Sequence, residues 1–292
     1  MFRCRALLVC LTLGLSFSSA DARIVTGNKN LGAIWFLGDS ITQSNSDDDA
    51  TSSPRSDAYT LLTNAGYTFN FTGHSTANAE GLPVGPSGVT NPYKYHSGVA
   101  GAIIGDSKTV GSYTYTGLTQ NVPTWWTAGR LATVKPNVIL LMIGGNDINN
   151  NYDVANAPAR VKTLVDTIYA QPGIGDPTLF IATLAPNRTS TGATNRTAAF
   201  NAALPGVVKQ LADSGKDVYL ADQFAALNTN YSTAFTGINL HPNGTGNQII
   251  ADTWVDAINT RAVPEPGSVA VVAAAAGLLL RRRRVVANVH SV

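Results

Sequence analysis

Cysteine is nearly missing from this chain of 292 residues: there are two, Cys4 and Cys10, both within the first ten positions. That segment has a basic start (Arg3, Arg5), an apolar run over residues 6–15 and small residues ending Ala20-Asp21-Ala22. This is the pattern of a signal peptide over residues 1–22. Removal after Ala22 leaves a mature chain without cysteine, which excludes disulfides and thiol chemistry. An excess of charge is missing as well. The formal net charge is +2, but six of the 20 basic residues lie at the ends: Arg3, Arg5 and residues 281–284. Residues 23–262 hold 14 basic against 16 acidic residues, a balance that argues against a nucleic-acid face. Nor is there an internal repeat, so residues 23–262 are read as one domain, long enough to bury a full core.

What the chain does have is a regular alternation of short apolar runs with amphipathic stretches. Apolar runs at residues 33–37, 138–143 and 178–184, with a shorter one at 217–221, read as buried strands. Residues 67–73 alternate aromatic and polar side chains and read as a further strand. Helical spacing is visible over 58–65, 157–170, 197–212 and 246–261, with Pro205 kinking or dividing the third of these. Strands alternating with helices at this spacing predict an α/β fold with a parallel sheet covered on both faces. Residues 43–56, which include Asp47-Asp48-Asp49, read as a solvated polar loop, and residues 74–93 as a long loop rich in Gly, Pro, Ser and Asn.

The strand at 33–37 stops at Gly38, and Asp39-Ser40-Ile41-Thr42 opens the next element. Such a turn presents one serine beyond the carboxyl edge of a sheet, where open α/β folds bind ligands. Acyl transfer needs a nucleophile, a base and donors where the oxyanion forms. Ser40 is the candidate nucleophile. Of the four histidines, His290 lies in the terminal tail, while His74 and His96 flank the loop-rich region as binding residues or solvated loop histidines. His241, in Leu240-His241-Pro242-Asn243, follows the last strand and precedes the last helix, a position that returns it to the edge bearing Ser40. Asn146 follows the middle strand and can offer its side-chain amide there, and Gly101 can bring a backbone N–H close.

In this order the residues resemble the SGNH (GDSL-type) hydrolase family. The matching blocks are Gly38-Asp39-Ser40-Ile41, Gly101 within Ser97-Gly98-Val99-Ala100-Gly101, Gly145-Asn146-Asp147, and His241-Pro242-Asn243. Residues 66–73 and 96–101 further resemble the acetyl xylan esterase branch, carbohydrate esterase family three. The resemblance implies a flavodoxin-like three-layer α/β/α sandwich, the SGNH hydrolase fold. It assigns Ser40 as nucleophile and His241 as base, with an oxyanion hole from the amides of Ser40 and Gly101 and the side chain of Asn146. Asp39 and Asp147 become holders of their turns. It implies neither metal nor organic cofactor. One position departs from the family. The acid that usually stands three residues before the histidine is Ile238 here, leaving Asn239, a backbone carbonyl, Asp222 or a plain Ser-His dyad.

The C-terminal segment has a pattern of its own. Val263-Pro264-Glu265-Pro266-Gly267, an apolar run over 268–280 and four arginines resemble the PEP-CTERM sorting tail of exported bacterial proteins. The apolar run is shorter than the ~20 residues of a membrane-spanning helix. The tail implies a protein exported to the envelope or beyond, associated transiently with the membrane and handled by sorting machinery. The leading reading is a secreted esterase acting on a small ester or an acetylated polysaccharide. The aromatics Tyr93, Tyr95, Tyr113, Tyr115, Trp125 and Trp126 serve as sugar-stacking groups or as core. A catalytically weakened surface protein that binds polysaccharide on the same scaffold is the alternative.

Overall fold

The computed structural model describes residues 27–44, 53–78, 82 and 91–262. The signal-peptide and sorting-tail expectations, and the acidic run at 47–49, lie outside the described residues. In chain order the strands are β1 (Asn30–Gly38), β2 (Thr68–Thr72), β3 (Ser97–Gly98), β4 (Lys108–Val110), β5 (Tyr113–Tyr115), β6 (Val138–Met142), β7 (Thr178–Ala182) and β8 (Val218–Ala221). The helices are α1 (Ser40–Gln43), α2 (Pro54–Asn64), α3 (Leu118–Trp125), α4 (Gly145–Asn149) and α5 (Ala157–Tyr169), then α6 (Thr191–Asp213), α7 (Gln223–Thr229), α8 (Tyr231–Ala234) and α9 (Gly244–Ala262). Five strands form a parallel sheet in the order β2-β1-β6-β7-β8. The short β3 also pairs with β1, in parallel, through Leu37↔Ser97 and Gly38↔Gly98, beyond the end of the β2 pairing.

Both faces of the sheet are buried, and the period of two along each strand sorts the side chains between two cores. Trp35, Leu37, Ile139, Leu141, Leu179 and Ile181 point to one side, where α3, α5 and α6 cover them. Ile34, Phe36, Leu140, Met142, Phe180 and Ala182 point to the other, under α2, α7, α8 and α9. This is the three-layer α/β/α arrangement, with the longer covering helices contributing apolar stripes. Ile250, Trp254 and Ile258 of α9 are all buried, as their spacing predicts. Trp125 and Trp126 also belong to the core; the Trp126 ring lies 6.2 Å from that of Trp35. Tyr93 packs edge-on against Tyr59, Phe69 and Phe71.

The sequence places element interiors correctly and misses some ends. α2 begins four residues before the expected start because Ser53 and Ser56 form a capping box around Pro54 at the first turn. α6 likewise starts at Thr191, with the Ser190 hydroxyl accepting from Ala193 N at 3.1 Å. It runs through Pro205 as one helix rather than being divided there.

One buried cation ties the second layer to the sheet edge. Arg55, on α2, is fully buried and donates through Nε to Thr42 O (3.1 Å) and through Nη2 to Gln43 O (3.2 Å) and Ser44 Oγ (3.4 Å). Thr42 O and Gln43 O are carbonyls left open at the C-terminal end of α1. Arg55→Met keeps much of the volume but strands those acceptors. It is expected to lower unfolding free energy by about 2–4 kcal/mol, read from chemical denaturation.

Candidate active site

β1 delivers Ser40 to the sheet edge. Gly38 has no room for a side chain: a Cβ there would run into Met142 O of the neighbouring strand and Thr42 Oγ1. Asp39 then caps α1, its carboxylate accepting from Ile41 N at 3.1 Å, so Ser40 begins the helix with its Oγ free to face outward. His241 meets it there. Ser40 Oγ and His241 Nε2 are 2.8 Å apart across 201 residues of sequence, the hydrogen-bond distance a hydroxyl and its base require.

The turn that carries His241 is held by Asn243, the last residue of the His241-Pro242-Asn243 block. Asn243 N donates to Ala234 O (2.9 Å) and its Nδ2 to Thr233 O (2.9 Å), while its Oδ1 accepts from Gly246 N (3.1 Å). One side chain thus joins the end of α8 to the start of α9 and fixes the loop between them.

The second block folds against the serine helix. Val99 N donates to Gly38 O at 3.1 Å, and Gly98 lies so near α1 that a Cβ would collide with Gln43 N. Gln43 Oε1 accepts from Ala100 N, and Gly101 follows in the left-handed region at φ +73°. Ala102 O then accepts from Asn146 Nδ2 at 2.9 Å, which takes one of the two amide hydrogens of Asn146. Ser40, His241 and Asn146 line one cavity of about 60 Å³, whose apolar wall includes Met142, Ile148 and Leu184. Gly101 sits on the adjoining turn and is not part of that lining. Thr197, buried on α6, completes the wall with a hydroxyl that has no hydrogen-bond partner among the described residues.

Asp147 and the remaining histidines build the frame around these groups. Asp147 is fully buried, accepting from Ile104 N (3.1 Å) and from Arg160 Nη2 (2.9 Å). Burial nevertheless leaves its carboxyl above the usual range. Neither His74 nor His96 is a solvated loop residue. His74 stacks on Trp125 with ring centroids 4.0 Å apart and bonds Ser97 Oγ through Nδ1 at 2.8 Å; burial lowers its pKa to about 4. His96 accepts from Gly98 N (3.0 Å) and donates from Nε2 to Ala77 O (2.7 Å), a neutral imidazole that shapes the glycine turn. Burial, helped by the charge of Arg55, keeps it neutral.

Ile238 is 73% exposed. Of the candidate replacements for the acid, Asp222 caps α7 through Ala225 N and accepts from Thr183 Oγ1, while Asn239 Oδ1 accepts from Leu240 N. Among the described residues there is no group of three or more His, Cys, Asp or Glu able to hold a metal.

Burial raises the Asp39 pKa to about 6, against lowering by the Ile41 N–H and by His241. A carboxyl that holds its proton more tightly when folded stabilises the native state below its unfolded pKa of 3.8 and loses that contribution as pH rises through 6. Asp39→Asn keeps the cap acceptor and removes the titration. The stability of the wild type relative to this variant is therefore expected to fall by about 2 kcal/mol between pH 4 and pH 7, measured by urea unfolding at each pH.

Solved structures similar to this chain include proteins named as carbohydrate esterases. The "Clostridium thermocellum family 3 carbohydrate esterase" is 28% identical to this chain, covering 79% of it and 98% of that structure, with a TM-score of 0.57. A carbohydrate esterase family 3 structure from Talaromyces cellulolyticus shares the fold at 20% identity, covering 78% and 98% of the two chains with a TM-score of 0.55. Over 138 residues, 47% of this chain, it is 30% identical to "Putative endoglucanase X" of Acetivibrio thermocellus. The chain spans about half the length of that curated relative, 54%. The model of the GDSL-like Lipase/Acylhydrolase family matches residues 36–249, from the strand before Ser40 to the helix after His241. The chain belongs to this family of ester-bond hydrolases.

Proposed function

We propose that this protein is an exported serine esterase that removes short acyl groups, acetyl foremost, from polysaccharide. The observation that carries the reading is the 2.8 Å contact between Ser40 Oγ and His241 Nε2 at the rim of a small cavity. Ser40 Oγ attacks the ester carbonyl carbon as His241 Nε2 takes its proton. The carbonyl oxygen, now an oxyanion, is met by the amides of Ser40 and Gly101 and by the second hydrogen of Asn146 Nδ2. Collapse expels the sugar alkoxide, which receives the proton from the His241 imidazolium and leaves an acyl-serine. Water, deprotonated by His241, attacks that ester and releases the carboxylic acid and free Ser40.

The cavity sets the acyl group. The cavity is small, about 60 Å³, and the apolar side chains of Met142, Ile148 and Leu184 beside Ser40 favour a short acyl group such as acetyl. The family kinship with carbohydrate esterases supports a sugar alcohol as the leaving group. Export rests on residues 1–22 as leader and 263–292 as sorting tail, with residues 23–262 as the hydrolase domain between them. The exposed Ile238 is the observation that favours the second reading, a weakened hydrolase scaffold that binds polysaccharide without turning it over.

Three measurements separate these. Ser40→Ala is expected to reduce kcat on p-nitrophenyl acetate and acetylated xylan by at least about 10⁴-fold. A folded wild type no faster than this variant would overturn the esterase reading and leave the binding one. Among p-nitrophenyl esters, kcat/KM is expected to fall about tenfold or more from acetate to butyrate, because one methylene in a hydrophobic pocket is worth about 1–3 kcal/mol. Because position 238 faces solvent, Ile238→Asp is expected to change kcat/KM by less than about threefold, as for an exposed charge worth under ~1 kcal/mol. A gain of 100-fold would show instead that the native dyad lacks an acid the loop can supply.

A further inference from the structure

A second cavity, larger than the first at about 220 Å³, lies on the other side of Asn146. Its walls come from the β4–β5 hairpin and from the residues after α4: Lys108, Tyr115, Asn150, Asn151 and Tyr152, besides Asn146 itself. The hairpin forms a two-stranded sheet of its own, apart from the main one, and the side chains of Val110 and Tyr113 on it are exposed. It therefore adds little to either core.

The far wall is held in a costly backbone shape. Asn151 and Asp153 both sit in the left-handed region, at φ +51° and +41°, where residues other than glycine are uncommon. Arg160 fixes Tyr152 and Asp153: its Nη1 donates to Asp153 O (2.9 Å) and Oδ2 (2.7 Å), and its Nη2 to Tyr152 O (3.0 Å) and Asp147 Oδ1 (2.9 Å). The result presents Tyr152 and Asn151 toward the hairpin. Across the gap, Lys108 Nζ stands 3.8 Å from the centre of the Tyr152 ring. Tyr115 OH donates to Asn150 Oδ1 (3.2 Å), and Asn150 Nδ2 donates to Asn146 O (2.8 Å). A continuous chain of hydrogen bonds thus runs from the hairpin to the residue that faces Ser40.

The chemistry of the lining selects a ligand class. The Tyr115 ring offers an apolar surface for C–H groups, the Asn151 carboxamide offers a paired donor and acceptor for vicinal hydroxyls, Lys108 over the Tyr152 ring adds an ammonium donor, and no carboxylate lines the cavity to favour a cation. A ring that is apolar on its faces and hydroxylated around its edge is a pyranose. We propose that this cavity is a glycan subsite, holding a sugar ring of the polysaccharide chain beside the acylated ring presented to Ser40. The inference rests on the polysaccharide esterase reading above and adds where the chain lies. Asn146, common to both cavities, sets the direction of the polymer across the catalytic residues.

The test uses the full-length protein and two variants at the rim, Tyr115→Ala and Asn151→Gly. The glycine adopts the left-handed backbone without strain, so it removes only the amide. Xylohexaose, which carries no ester, is titrated by calorimetry or NMR. The wild type is expected to bind it, and each variant to weaken binding by about threefold to tenfold, the range of one aromatic or amide contact. With acetylated xylotetraose, the ratio of kcat/KM to that for p-nitrophenyl acetate is expected to fall by a similar factor, through KM. Xylohexaose that does not bind, or binds all three proteins equally, overturns the subsite. Absence of hydrolysis by the wild type overturns the esterase reading instead, and the binding titration still decides the subsite.

Discussion

Close parallel contact at the carboxyl end of β1 is the constraint on which the rest of the site depends. Gly38 lies between Gly98 and Met142, paired with both, and has space for no side chain. Two backbones can approach a third that closely only where a glycine leaves the room. From that point the chain must turn, and Asp39 converts the turn into a helix start. Three blocks distant in sequence are thereby brought to one edge: the serine on α1, the loop after β3 folded onto α1, and Asn146 on the helix after β6. The fourth, His241, arrives through α9, whose packing under the sheet is independent of the first three.

The frame around the reactive groups is made of polar residues that bond backbone: Arg55, His96 and Asp147 are buried, and Asn243 is partly exposed. Arg55 closes the end of α1, His96 the turn at Gly98, Asp147 the amide of Ile104, and Asn243 the loop at His241. A buried polar group is expensive unless paired, and pairing fixes its neighbours in one arrangement. The same reasoning accounts for the shifted titration of Asp39, His74 and His96. Burial holds His74 and His96 neutral, and it raises the Asp39 carboxyl to about 6.

Much of this was legible in the sequence, because double-sided burial leaves continuous apolar runs and helices leave periodic ones. The runs at 138–143 and 178–184 mark β6 and β7, and the terminal Gly-Asp-Ser and Gly-Asn-Asp mark their neighbours' edges. What the sequence hid was of two kinds. Caps made by serine, at Ser53 and Ser190, extend helices beyond their apolar stripe, so periodicity alone starts them too late. Polar residues whose partners are distant backbone atoms, such as Arg55 and Asn243, leave no periodic trace at all. The aromatics divided by location: Trp125 and Trp126 went to the core, whereas Tyr113 and Tyr115 form a strand of the hairpin, which periodicity could not separate. The empty acid position, Ile238, was visible, but that its side chain points to solvent follows only from the fold.

The hairpin has one more consequence, for motion. β4 and β5 are three residues each, are paired only with one another, and cover no core. Their hydrogen bonds can break without exposing apolar surface, whereas those of β1, β6 and β7 cannot. Amide protons in the hairpin should therefore exchange with solvent by local opening, and those around Gly38 only when the whole sheet comes apart. Two regimes of stability meet at Asn146: a reactive half fixed by the sheet, and a rim held by its own short ladder and a few side-chain contacts.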